Sequence, residues 1–137
     1  MNVYRRVLVA STLGERRPVD DIARLSEMLA HSDVIVVARD AGGTAIGVAR
    51  SITDYAFCLY CSDLAVDAAH QGQGIGKRLL EETVRAAPRV RNYLLLSAPK
   101  AVSFYEHAGF ERLPDAFRFY PQDGWSVPSP PARKANP

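Results

Sequence analysis

Cysteine, tryptophan and methionine are scarce in this 137-residue chain, with two Cys, one Trp and two Met. Two cysteines cannot build the disulfide framework of a small secreted domain. They stand as a lone Cys58-x-x-Cys61, half of the ligand set that a structural zinc site needs. The residues around them read as a strand, where side chains three apart point to opposite faces. Chelation and a disulfide are both disfavoured, so free thiols, no metal and a reducing, cytoplasmic setting are expected. No apolar run reaches the roughly 18–20 residues that span a bilayer, and no membrane partner is expected. Arg5 and Arg6 are not followed by a long apolar stretch, which argues against a secretory signal. An excess of one charge is lacking too: 17 Lys+Arg against 15 Asp+Glu leave a net charge of +2. That is too mild for a nucleic-acid partner, which calls for a concentrated basic face. It suits a small anionic ligand at a local positive site.

Hydrophobic residues make up 47% of the chain, enough for one ordinary core. The β-branched run Val3 to Ala10 predicts a first strand. Pro18 opens a helical segment with Ile22, Leu25, Met28 and Leu29 at helical spacing, and Asp20 and Asp21 favour its positive end. Val34 to Arg39 and Thr44 to Ser51 form a hairpin about the turn Asp40 to Gly43. Ala56 to Val66 is the longest strand. A glycine-rich loop, Ala68 to Gly76, leads into a helix with Leu79, Leu80, Val84 and Ala87 inward, ended by Pro88. Tyr93 to Leu96 reads as a central strand. Ala101 to Ala108 is a short helix closed by Gly109, and Phe117 to Tyr120 a last strand. The fold class is α/β (α+β): one mixed sheet flanked by helices, in a single domain over residues 1–120. The proline-rich segment 121–137 reads as an extended or disordered tail.

The chemistry sits where a strand meets that loop. Free N–H groups at a helix N-terminus, with the dipole behind them, favour an anion. Gly72, Gly74 and Gly76 let the backbone close on a ligand. Lys77 and Arg78 place cations where they oppose the dipole, a conflict that a bound anion relieves. The stretch therefore reads as a phosphate or pyrophosphate cradle. A dinucleotide fingerprint would need glycine at Lys77, and a P-loop would need glycine at Gln71 and Ser or Thr at Arg78. Neither pattern fits.

Gln71-x-x-Gly74-x-Gly76, preceded by Leu64-Ala65-Val66, resembles the acetyl-CoA signature of the GNAT superfamily of N-acetyltransferases. Ser103-Phe-Tyr-Glu-His-Ala-Gly-Phe110 resembles the second motif of the same superfamily, and the resemblance covers residues 33 to 120. It implies a mostly antiparallel sheet, splayed between the strand ending at Val66 and the strand around Tyr93–Leu96. It implies acetyl-CoA as cosubstrate, with the diphosphate on the loop amides of Gln71, Gly72, Gln73, Gly74, Ile75 and Gly76, near Lys77. The pantetheine arm would pair with the backbone around Leu64, Ala65 and Val66, beside a bulge. Ser103 and Tyr105 would complete that side, Tyr105 near the sulfur. Asparagine, common before the second motif in the superfamily, is replaced near Ala98, where Ser97 or Ser103 could take over its hydrogen bond.

Acetyl transfer needs a neutral amine, a base, a donor for the oxyanion and a proton for the departing thiolate. Tyr105 is the expected acid, and an amide at Leu64 or Ala65 the oxyanion donor. Asp63, ahead of Leu64, is the expected base or amine anchor, with Asp54 and Glu106 weaker candidates. Tyr55, Phe57 and Tyr60 could line an acceptor pocket, and an aromatic, acidic pocket would suit a cationic aromatic amine. The stretch Asp54–Gly76 is also similar to serotonin-type acetyltransferases. His31, His70 and His107 read as surface or loop residues, and Cys61 is the one residue that could carry a ping-pong route. The expected reaction is direct attack by a small-molecule primary amine in a ternary complex. Alternatives are a protein lysine or N-terminal acceptor, or a CoA-binding module without turnover. The short segment before the hairpin leaves the acceptor side open, which makes a homodimer plausible.

Overall fold

In a computed structural model, residues 1–118 and 120 are described. Among these residues four α-helices accompany four strands: α1 (Asn2–Ala10), α2 (Ile22–Ala30), β1 (Val34–Arg39), β2 (Ala45–Thr53), β3 (Cys58–Val66), α3 (Ile75–Ala86), β4 (Asn92–Leu95) and α4 (Val102–His107). The sheet order is β1-β2-β3-β4. β1, β2 and β3 are antiparallel neighbours, and β4 returns parallel to β3 after the α3 crossover. This is the expected mixed, mostly antiparallel sheet.

The first segment is a helix, not the strand its valines suggested. Tyr4, Val7 and Leu8 recur at i, i+3 and i+4 and are buried together, which is the helical repeat. A strand would have grouped Val3 with Val9 instead, and those two are exposed. Tertiary contact chose between two periods that the short run satisfies equally. α2 begins at Ile22, later than Pro18, because the Asp21 carboxylate caps it by accepting from the Arg24 N–H at 2.9 Å.

α1 and α2 cover one face of the sheet. Tyr4, Val7, Leu8 and Leu25 pack on Ala45, Val48 and Ala65. The opposite face holds Leu59 and Cys61 against Leu80, Ala87 and Val90, with Tyr105 and Phe110 at its margin. β4 lies at an edge of the described sheet rather than at its centre, and Leu94 is 36% exposed. Phe117, Arg118 and Tyr120 are not in a strand. Phe119 and the tail 121–137 lie outside the described residues.

Two departures from regularity shape the site. Arg50 faces Asp63, but Ser51 faces Cys61, so Ser62 is the extra residue of a β-bulge. The bulge reverses the side-chain alternation. Cys61 points to the α3 face, and Asp63 to the α1 face beside Tyr4. Second, β4 pairs with β3 only from Cys58 to Cys61. Beyond the bulge β3 runs on to Val66 with no strand paired to it on that side among the described residues, which is the expected splay.

Candidate active site

The splay opens a cleft of about 680 Å³. One wall is β3 from Tyr60 to Val66, and the mouth is formed by His70, Gln71, Gly72, Gly74, Ile75 and Gly76. Leu95, Leu96, Ala98, Lys100, Ala101, Phe104 and Tyr105 form the facing wall, and Ser11, Thr12, Leu13, Arg16 and Arg17 close a third side, with Arg118 also in the lining.

Strand register decides which backbone groups face the cleft. Asp67 donates its N–H to the Ile46 carbonyl at 2.9 Å. Bonded and non-bonded pairs alternate along an antiparallel ladder. Val66 and Leu64, opposite Gly47 and Ala49, therefore turn their N–H and C=O away from β2 and toward the cleft. The Val66 carbonyl accepts from Gln71 Nε2 at 3.1 Å, in keeping with that orientation.

The glycine loop delivers a row of donors. Among the described residues, no acceptor meets the backbone N–H of residues 71 to 77, and Arg78 is the first to find one, the Gly74 carbonyl at 3.1 Å. Gly74, the N-cap of α3, has φ 79, a left-handed conformation that side chains resist. A Cβ there would meet nothing within 4 Å and would project into open space at the helix mouth. Gly76 matters for packing instead. A Cβ there would lie 3.1 Å from the Phe104 ring, so its absence lets α3 sit close to α4. Lys77 and Arg78 reach forward to Glu81 and Glu82 (4.0 Å from Lys77, 3.5 and 2.8 Å from Arg78), which eases their conflict with the dipole. Gln73, Lys77 and Ser103 lie outside the cleft lining.

A bulkier residue at Gly74 tests the cradle directly. Gly74→Val is expected to weaken CoA binding about 10- to 100-fold, through strained backbone and displaced N–H donors. Titration calorimetry with CoA checks this, and unchanged affinity would remove the loop from the site.

Tyr105 stacks edge-to-face between Phe104 and Phe110, with centroids 5.1 and 5.7 Å away. Burial, and then the neighbouring Cys61, push its hydroxyl up to about 12. Burial also pushes the Cys61 thiol up to about 11. A thiol so placed is a poor nucleophile at neutral pH.

Asp63 is not available as a base. It is fully buried. Tyr4 donates to its Oδ2 at 2.5 Å, Arg50 Nε donates to the same oxygen, and Arg17 Nε donates to Oδ1 at 2.5 Å. Burial alone would raise its pKa, but Arg50, Tyr4 and Arg17 outweigh that and hold the carboxyl below its ordinary range. Arg50 is braced in turn by Ser32 Oγ at 3.1 Å and Ser62 Oγ at 2.8 Å. Asp54 caps the turn before β3, where its Oδ1 accepts from the N–H groups of Phe57, Ala56 and Cys58, which hold it below the ordinary carboxylate range. Tyr55 donates its hydroxyl to the Asp33 carbonyl at 2.7 Å, and Phe57 is 61% exposed. Neither lines the cleft; of the three expected aromatics, Tyr60 alone does. His70 joins the cleft wall, with Nδ1 4.0 Å from Asp67 Oδ1.

The residues that sequence reasoning missed are the cations Arg16, Arg17, Lys100 and Arg118. The one hint was the pair Arg16-Arg17 before Pro18, which carries no motif. Among the described residues, no Asp or Glu lines the cleft, so the acidic pocket is corrected. No group of three or more possible metal ligands occurs among the described residues, and no helix there is long and apolar enough to cross a membrane.

Comparison with known proteins fits this geometry. Residues 30–112 match the acetyltransferase (GNAT) domain model. The chain is 39% identical over 82 residues to GCN5-related N-acetyltransferase 2, chloroplastic, of Arabidopsis thaliana, covering 56% of this chain and 32% of that one. It is 33% identical over 100 residues to serotonin N-acetyltransferase 2, chloroplastic, of Oryza sativa subsp. japonica, covering 69% and 50%. The chain thus spans about a third to a half of these curated relatives. A GNAT-family acetyltransferase of Streptococcus pneumoniae superposes with a TM-score of 0.63 at 29% identity, covering 78% and 80%. With the two motifs, the splayed sheet and a domain match over most of its length, the chain belongs to the GNAT acetyltransferase family.

Proposed function

We propose that the protein transfers the acetyl group of acetyl-CoA to a small primary amine by direct attack in a ternary complex. One observation carries this reading. The unbonded amides of Gln71, Gly72, Gly74, Ile75 and Gly76 open onto the same cleft as the outward backbone of Leu64 and Val66 and the Tyr105 side chain. An elongated ligand with a diphosphate at one end and an amide-bearing arm would satisfy both sets of groups at once.

Each residue then has a role. The loop amides hold the diphosphate. Leu64 and Val66 pair with the arm as an added strand would. The Leu64 N–H, turned off the ladder, donates to the thioester oxygen as negative charge develops there. Tyr105 supplies the proton to the departing sulfur and regains one through cleft water, as the attacking nitrogen sheds its extra proton to that water. A free alkylammonium has a pKa near 10.4, so the amine must lose a proton before attack. With Asp63 locked in its cluster, cleft water receives that proton. The high pKa of Cys61 favours direct attack over an acetyl-cysteine route.

A cationic aromatic amine, such as the serotonin named for the rice relative, would find Tyr60 but no carboxylate in the described cleft. Free-thiol release from acetyl-CoA across an amine panel tests the reaction. Intersecting double-reciprocal plots support the ternary complex, and parallel lines would overturn it. CoA binding without thiol release on any amine would fit a CoA-binding module instead. Release only with lysine peptides would fit a protein acceptor.

A further inference from the structure

The charge lining the cleft is one-sided. Arg16, Arg17, Lys100 and Arg118 line it, and no Asp or Glu does among the described residues. Three of these cations are accounted for. Arg118 lies with its guanidinium over the Tyr120 ring, 4.9 Å from the centroid. Arg17 is held at the Asp63 carboxylate, which it shares with Arg50, and its Nη2 is tied to the Ser62 carbonyl at 2.6 Å. Lys100 follows β4, which runs parallel to β3. It therefore lies toward the glycine loop, where phosphates of acetyl-CoA would absorb its charge.

Arg16 is placed differently. It ends the 3-10 turn Thr12–Arg16, and its neighbour Arg17 is pinned to the bulge at Ser62. At roughly 3.3 Å per strand residue, the bulge lies on the order of 13 Å from Val66 and the loop. Arg16 is exposed to the cleft, and among the described residues no carboxylate pairs with it. A bare alkylammonium would meet only like charge here. A planar guanidinium with five donors fits an oxyanion with two oxygens in a plane.

We infer that the acceptor is an amine that also carries an anionic oxygen group, a carboxylate or a phosphoryl, held by Arg16 at the bulge end of the cleft. This rests on the acetyltransferase reading above and narrows its substrate class.

The test uses matched pairs in the thiol-release assay with the full chain. Tryptophan is compared with tryptamine, and phosphoethanolamine with ethanolamine. The anionic member of at least one pair is expected to show a kcat/KM about tenfold higher at low salt, a gap that closes as ionic strength rises. A preference in the first pair identifies a carboxylate, and one in the second a phosphoryl. Arg16→Gln is expected to raise the KM for the anionic amine about tenfold while leaving the neutral amine and CoA affinity within about twofold. Arg16→Lys should restore part of the loss. Equal or better turnover of the neutral amines overturns the inference and leaves the transferase reading intact. Weakened CoA binding in Arg16→Gln also overturns it, because the guanidinium then serves the cosubstrate. Failure of every amine, with CoA still bound, removes the transferase reading itself.

Discussion

Asp63→Ala is expected to lower stability by about 3–5 kcal/mol, because it strands two guanidinium groups around a buried site. Arg17 and Arg50 both point at this carboxylate, and Tyr4 shares it. For a domain of this size that corresponds to a fall in Tm of roughly 10–20 °C. Thermal denaturation followed by circular dichroism measures it. Asp63→Asn should lose a large part of the same amount, since a neutral amide cannot balance the cations. A variant that kept the wild-type Tm and lost only kcat would restore Asp63 as the catalytic base. The pH dependence has a definite sign. A carboxyl held below its ordinary range contributes stability that is complete above its unfolded pKa of about 3.9. That contribution is lost as pH falls through the lower folded value. Acid unfolding from this group should therefore begin only below about pH 4.

Tyr105→Phe is expected to lower kcat by about 100-fold or more, the usual scale for losing a general acid. The ring stays packed between Phe104 and Phe110, so Tm should shift by no more than about 2–4 °C, and the KM for acetyl-CoA should hold within about twofold. The hydroxyl, pushed up to about 12, stays protonated through the range where the amine becomes free base. The wild-type pH–rate profile should accordingly rise toward the amine pKa without an alkaline limb from this group. Retention of more than about half the wild-type kcat would overturn the acid role.

The glycine loop and its free amides were legible in the sequence because their physics is local. Gly72 and Gly74 take φ of 78 and 79, and consecutive residues set the free amides of a helix N-terminus. The hairpin β1–β2 and helices α2 to α4 were legible through period and turn chemistry. Helix α1 was not, since Val3 to Ala10 satisfies both periods until Tyr4 finds Asp63. The facing of Asp63 was hidden for the same kind of reason. Strict alternation puts it on the face of Cys61, and the bulge at Ser62 puts it on the other.

The sequence by itself determined the sheet class, the glycine loop with its free amides and the tyrosine that shares its cleft, all of them set within short stretches of chain. Only the tertiary structure decided which carboxylate is structural and what charge lines the cleft. Arg16, Arg17 and Arg118 reach one cleft from opposite ends of the described chain. The Asp63 cluster joins side chains as many as 59 residues apart. No periodicity or spacing encodes such meetings, because they depend on how the helices close over a sheet whose facing changes at a single inserted residue.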